Sequence, residues 1–97
     1  MVEHIVLFKL KAGATAEQKE AAKKALKGLK EQIEGIVDLT CGDNFSERSQ
    51  GHEMGLVVRF RDRAALDAYI PHPAHRGVVE QYIAPIRESG IVVDYEI

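Results

Sequence analysis

The first apolar segment, Glu3 to Lys11, alternates with a two-residue period yet carries apolar groups on both faces. His4, Val6, Phe8 and Leu10 share one face; Ile5, Leu7 and Lys9 share the other. A strand of this kind needs cover on both sides. A chain of 97 residues has little material to supply it. At this size folding buries about 65% of the surface, so a single core closes with little to spare.

The remaining elements follow from punctuation. Thr15 followed by Gln18 has capping-box spacing and predicts a helix from Ala16 to about Glu34, with Gly35 at its C-terminal end. Ala22, Ala25, Leu26, Leu29 and Ile33 form its apolar stripe. Lys19, Lys23, Lys24, Lys27 and Lys30 lie largely off it, on an expected solvated face interleaved with Glu20, Glu31 and Glu34. Ile36 to Gly42 reads as a second strand, Asp43 to Gly51 as a polar loop and Glu53 to Arg61 as a third strand. Asp62 caps a short helix through Ile70, which Pro71 stops. Pro73 opens another helix, with Val78, Val79, Tyr82, Ile83 and Ile86 at helical spacing. Ser89-Gly90 is read as a turn into a last strand, Ile91 to Ile97.

The order strand, helix, strand, strand, helices, strand predicts an α+β, ferredoxin-like chain: one domain over residues 1–97, with a four-stranded antiparallel sheet and helices on one face. A monomer would then need a polar second face. Ile5, Leu7 and Val57, with either Ile91, Val93 and Tyr95 or Val92, leave it apolar instead. Two such sheets packed face to face would make a barrel-like homodimer.

Composition narrows the function classes. Lys+Arg 13 against Asp+Glu 15 gives a net charge of -2, which argues against a nucleic-acid partner. No apolar run approaches bilayer length, and Met1-Val2-Glu3-His4 lacks the basic start of a signal peptide, so a cytoplasmic location is expected and no membrane partner. The single Cys41 excludes an internal disulfide and reads as a buried small hydrophobe. Arg59, Arg61 and Arg63 are expected to pair with acids such as Asp94 or Glu96.

The densest chemistry lies in Tyr69-Ile70-Pro71-His72-Pro73-Ala74-His75. Prolines on both sides of His72 fix the loop, and Pro73 pushes His72 toward an extended backbone. That separates the two imidazoles, so neither a metal nor another cofactor is expected here. Two readings stay open. In one, an imidazole accepts a proton near neutrality and a phenol donates to a carbonyl oxygen. In the other, His72 and His75 cap a helix and Tyr69 packs. His4, on the helix-side face, is either a satisfied core histidine or a polar group in an apolar pocket.

The sequence resembles the stress-responsive A/B barrel (Dabb) family over nearly its whole length. The resemblance rests on His4-Ile5-Val6-Leu7-Phe8, Gly42-Asp43-Asn44, Phe60, Ala65-Leu66, Tyr69, His72-Pro73-Ala74-His75 and Val92-Val93-Asp94-Tyr95. It implies a dimeric α/β barrel, paired through the sheet face that bears Ile5, Leu7, Val57, Val93 and Tyr95. Plant polyketide cyclases of this fold use a tyrosine and the second histidine of the His-Pro-x-His element, which map onto Tyr69 and His75. The same mapping puts His4 at a substrate pocket walled by Val6, Phe8, Leu26, Leu39, Met54, Leu56, Val58, Ile70 and Val78. It implies a small carbonyl ligand and acid–base chemistry without a cofactor. The sequence departs from the cyclases at Ala21-Ala22-Lys23-Lys24-Ala25-Leu26, where they carry bulky aromatics, and at Met54, where they carry histidine. The alternatives are a stable stress protein without catalysis and, behind it, a monooxygenase of the same barrel type.

Overall fold

Strand β1 (Val2–Leu10), with apolar groups on both faces, takes one of the two inner positions of the sheet. The computed structural model describes residues 1–97. Helix α1 (Ala16–Lys27) follows, then β2 (Ile36–Asp43), β3 (His52–Phe60), α2 (Arg63–Tyr69), α3 (Pro73–Val78) and β4 (Arg87–Glu96). The sheet is antiparallel throughout, in the order β2-β3-β1-β4. This is the ferredoxin-like α+β architecture expected from the element order.

Helix α1 starts where the capping box places it. The Thr15 hydroxyl accepts from the Gln18 amide at 3.1 Å, and the Gln18 side chain accepts from the Thr15 amide at 2.9 Å. It ends earlier than the periodicity implies. After Lys27 the chain tightens into a 3₁₀ turn, Gly28–Glu31, which still buries Leu29. Gly35 therefore does not close α1; its φ of 94° turns the chain into β2, and a Cβ there would lie 2.7 Å from that of Ala65. Lys23 also departs from the expected solvated face. It is buried, and its ammonium reaches Glu20 at 2.6 Å and Asp43 at 2.9 Å, which raise its pKa.

Strand β4 begins at Arg87, so Ser89-Gly90 lies within the strand instead of turning into it. Its pairing with β1 slips once: Lys9 faces Ser89 and Leu10 faces Arg87. Glu88 is the extra residue of this bulge.

The core lies between the sheet and the helices, around Phe60, Tyr69, Leu26, Leu29, Met54 and Val58. The other sheet face is open. Register puts Ile5 opposite Val57 and Val93, Leu7 opposite Ile91, and Glu3 opposite Tyr95, which settles strand four in favour of Ile91, Val93 and Tyr95. Leu7 is 36% exposed, Tyr95 46%, and Ile91 and Val93 48% each, so a contiguous apolar patch faces solvent. Arg59 pairs across this face with the nearly buried Glu3 at 2.5 Å, not with Asp94 or Glu96; Glu96 is taken by Arg63 at 2.6 Å.

Candidate functional site

The turn between α2 and α3 is built by the residues that the sequence crowds together. Asp62 caps α2, accepting from the Ala65 amide at 2.9 Å. Tyr69, the last residue of α2, is fully buried. His72 caps α3: its Nδ1 accepts from the Ala74 amide at 3.0 Å, with Pro73 in the first turn. His72 therefore has a structural duty. His75, one turn on, shares a hydrogen bond through Nδ1 with the Ile70 carbonyl at 2.9 Å. A carbonyl only accepts, so Nδ1 carries the proton and Nε2 keeps its lone pair. The bond crosses the turn and holds the His75 ring 4.2 Å from that of Tyr69, centroid to centroid.

His4 joins from β1. It stands directly opposite Asp94 in the β1–β4 register, and its Nδ1 meets the Asp94 carboxylate at 2.5 Å. Its ring packs edge-on against Phe60 at 6.1 Å and Tyr69 at 5.9 Å, while Phe60 and Tyr69 pack at 4.9 Å. His4 is thus both a satisfied buried histidine and a neighbour of the tyrosine.

Beside these rings lies a cavity of about 210 Å³. The sheet contributes His4, Val6, Phe8, Leu56, Arg87 and Val92. Leu26, Tyr69, Ile70, His75, Val79 and Ile83 contribute the rest, the last two from a π turn, Val79–Ile83, in which the Ala84 amide reaches back to the Val79 carbonyl at 2.7 Å. Three larger depressions differ in kind. One, of about 350 Å³, is edged by Arg63, Asp67, Asp94 and Glu96, another is a shallow hollow of about 490 Å³ on the open sheet face at Gly42 and Gly55, and the third, of about 310 Å³, lies among Lys19, Glu20, Asp43 and Glu53. A hollow at Arg76 and Glu80 touches His75 without Tyr69; the cavity beside the rings alone brings Tyr69 and His75 together.

The electrostatics separate the two groups. Burial pushes the Tyr69 phenol up to about 12, so it stays protonated and can donate. Its hydroxyl is buried with no hydrogen-bond partner, a cost on the order of 1–3 kcal/mol. Burial, first, holds His75 below the usual imidazole range; the Ile70 carbonyl opposes this, and His4 and His72 reinforce it. A neutral imidazole with a free Nε2 stands beside a phenol that nothing else uses.

The family model for the Stress Responsive A/B Barrel Domain matches residues 2–97. The chain belongs to this family. An uncharacterised Streptomyces coelicolor protein, SCO4036, is 32% identical over 99% of each chain. The crystal structure of At3g17210 from Arabidopsis thaliana superposes with a TM-score of 0.90 at 26% identity, over 100% of this chain and 95% of that one. A Bacteroides fragilis protein of unknown function, described as dimeric and ferredoxin-like, superposes with a TM-score of 0.83 at 30% identity, over 99% and 95%.

Within this A/B barrel domain the expected site residues divide. His4, Val6, Phe8, Leu26, Leu56, Tyr69, Ile70 and His75 line the cavity. Leu39, Met54 and Val58 do not. They are buried in β2 and β3 away from β4, whereas every residue of β4 is exposed and leaves room over β1. Val78 packs against the core, and Val79 at the start of the π turn takes the cavity position. The cavity also takes in Val79, Ile83, Arg87 and Val92, which the sequence pattern does not single out for it. Val79 and Ile83 stood in the helical pattern without a direction, and Arg87 was hidden by the bulge.

Proposed function

We propose that this A/B barrel domain binds a small carbonyl compound in the 210 Å³ cavity and moves a proton on it with Tyr69 and His75. Nε2 of His75 takes a proton from the carbon next to the carbonyl, and the Tyr69 hydroxyl donates to the oxygen on which charge develops. The observation that carries the reading is the Tyr69 hydroxyl, buried and unpartnered beside a histidine whose tautomer leaves its other nitrogen free. The size limits the substrate. A cavity of about 150 Å³ takes up benzene, so this one suits a single substituted ring or its aliphatic equivalent rather than an extended polyketide. No cofactor enters the scheme.

The same proposal makes the working unit a homodimer closed through the open sheet face, with Ile5, Leu7, Val57, Val93 and Tyr95 at its centre. Their shared, apolar and exposed face supports this, as does the dimeric Bacteroides fragilis relative. A reducing compartment suits the single free thiol of Cys41, whose pKa burial raises to about 11. No helix is long and apolar enough to cross a membrane.

A second reading has its own support: both histidines of the turn already hold backbone groups, as a purely structural element requires. It makes the chain a stable stress protein without catalysis. The test is a screen of β-keto acids, their thioesters and phenolic acids, with the ring signals of His4, His72 and His75 followed by two-dimensional NMR. The catalytic reading expects a saturable shift at His75 that disappears in Tyr69→Phe. Silence at all three rings in an intact protein gives the structural reading the lead.

A further inference from the structure

Among the twelve residues that line the cavity, Arg87 is the only Lys, Arg, Asp or Glu. A regular β4 would not put it there. Gly90 and Val92 face Phe8 and Val6 on the helix side, so strict alternation would send residue 87 to the open face with Ser89 and Ile91. The bulge at Glu88 resets the phase, and Arg87 emerges opposite Leu10 on the helix side. Its stem then runs over Gly90, where a Cβ would lie 4.0 Å from its Cδ. Arg87 has no carboxylate partner; the adjacent Glu88 is taken by Lys9 at 3.5 Å. At the other end of the cavity His4, Tyr69 and His75 cluster. His4 and Phe8, both in the lining, are four residues apart, or about 13 Å along the strand.

We propose that the cavity selects carboxylates: a compound about one ring in size, whose carboxylate is held by Arg87 while its other end meets Tyr69 and His75. Guanidinium is the side chain best shaped for this, since its planar fork matches a carboxylate with two parallel hydrogen bonds. The inference rests on the small-molecule reading above and narrows it to carbonyl acids.

The probes are benzoate and benzamide, equal in shape and different in charge, titrated by calorimetry at pH 7 and low salt. Benzoate is expected to bind at least tenfold more tightly. Arg87→Gln should erase that difference by weakening benzoate far more than benzamide, and Arg87→Lys should restore part of it. Raising the salt should shrink the preference, since the guanidinium stands on an exposed strand. Equal affinities in the unaltered protein, or a preference that survives Arg87→Gln, overturn the inference. Benzamide binding that Tyr69→Phe abolishes, without any preference for benzoate, would sink the Arg87 assignment alone. Failure of both probes to bind any variant would overturn it together with the small-molecule reading.

Discussion

The two halves of the sheet are made of the same kind of alternating strand and end in different states. Over β2 and β3, Leu39, Met54, Val58 and Phe60 are buried in one core with Leu29 and Ile33. Over β1 and β4, the cover is the α2–α3 turn and the π turn, and a 210 Å³ space remains with four polar side chains around it. The first half follows from apolar periodicity. The second depends on irregularities: a proline-bounded turn, a π turn and a bulge. In this fold the regular half supplies stability and the irregular half holds the candidate site.

The sharpest way to break that comparison is to truncate one residue on each side. Phe60→Ala, in the closed half, should cost about 3–5 kcal/mol and is expected to unfold much of the population of so small a domain. Val92→Ala, at the cavity and 54% exposed, should cost under about 0.5 kcal/mol. Urea midpoints measure both, and comparable losses would mean that the halves do not differ as described.

A smaller effect belongs to the open face. Val57→Asp puts a charge among Ile5, Leu7 and Val93 and should turn a dimer into a folded monomer in sedimentation velocity. An unchanged oligomeric state would remove that face from the interface. The apolar face of Ile5, Leu7 and Val57 could be read from the alternation; the choice of Val93 over Val92 needed the register. Arg59 turning to Glu3 could not be read from the alternation either, because acids at several sequence distances were equally available.

The pH dependence sharpens the cavity side. The folded His75 holds its proton less tightly than an unfolded imidazole of pKa about 6.5. The unfolded chain thus binds more protons in the window below that value. The stability that His75 contributes is complete above pH 6.5 and is lost as the pH falls toward its lower folded pKa. His75→Gln should flatten this part of the stability profile, while His72→Gln should leave most of it in place, since burial is the leading cause, and cost about 1 kcal/mol through the lost cap of α3. A slope that survives His75→Gln would place the titration elsewhere. Thr15→Ala, far from the cavity, should likewise cost about 1 kcal/mol through the capping box and leave ligand binding intact.

What the sequence made legible follows a physical line. The strand faces, the capping box and the Tyr69-to-His75 crowding are local patterns, and local patterns survive folding. Lys23 reaching Asp43, His4 reaching Asp94 across 90 residues, and the π turn that exchanges Val78 for Val79 depend on how elements meet. Arg87 is the instructive case. One extra residue, Glu88, reverses its face, and alternation alone carries no sign of a bulge.

On the catalytic reading the Tyr69 hydroxyl is kept for a ligand at a cost to the fold. Stability by urea denaturation and ligand saturation by NMR, measured on Tyr69→Phe beside the unaltered protein, test it most directly. Removing an unpartnered buried hydroxyl should leave the empty protein equally stable or more stable, by up to about 1–3 kcal/mol, while the saturable shift at His75 disappears. A loss of stability with ligand binding intact would contradict the account and make Tyr69 part of the core alone.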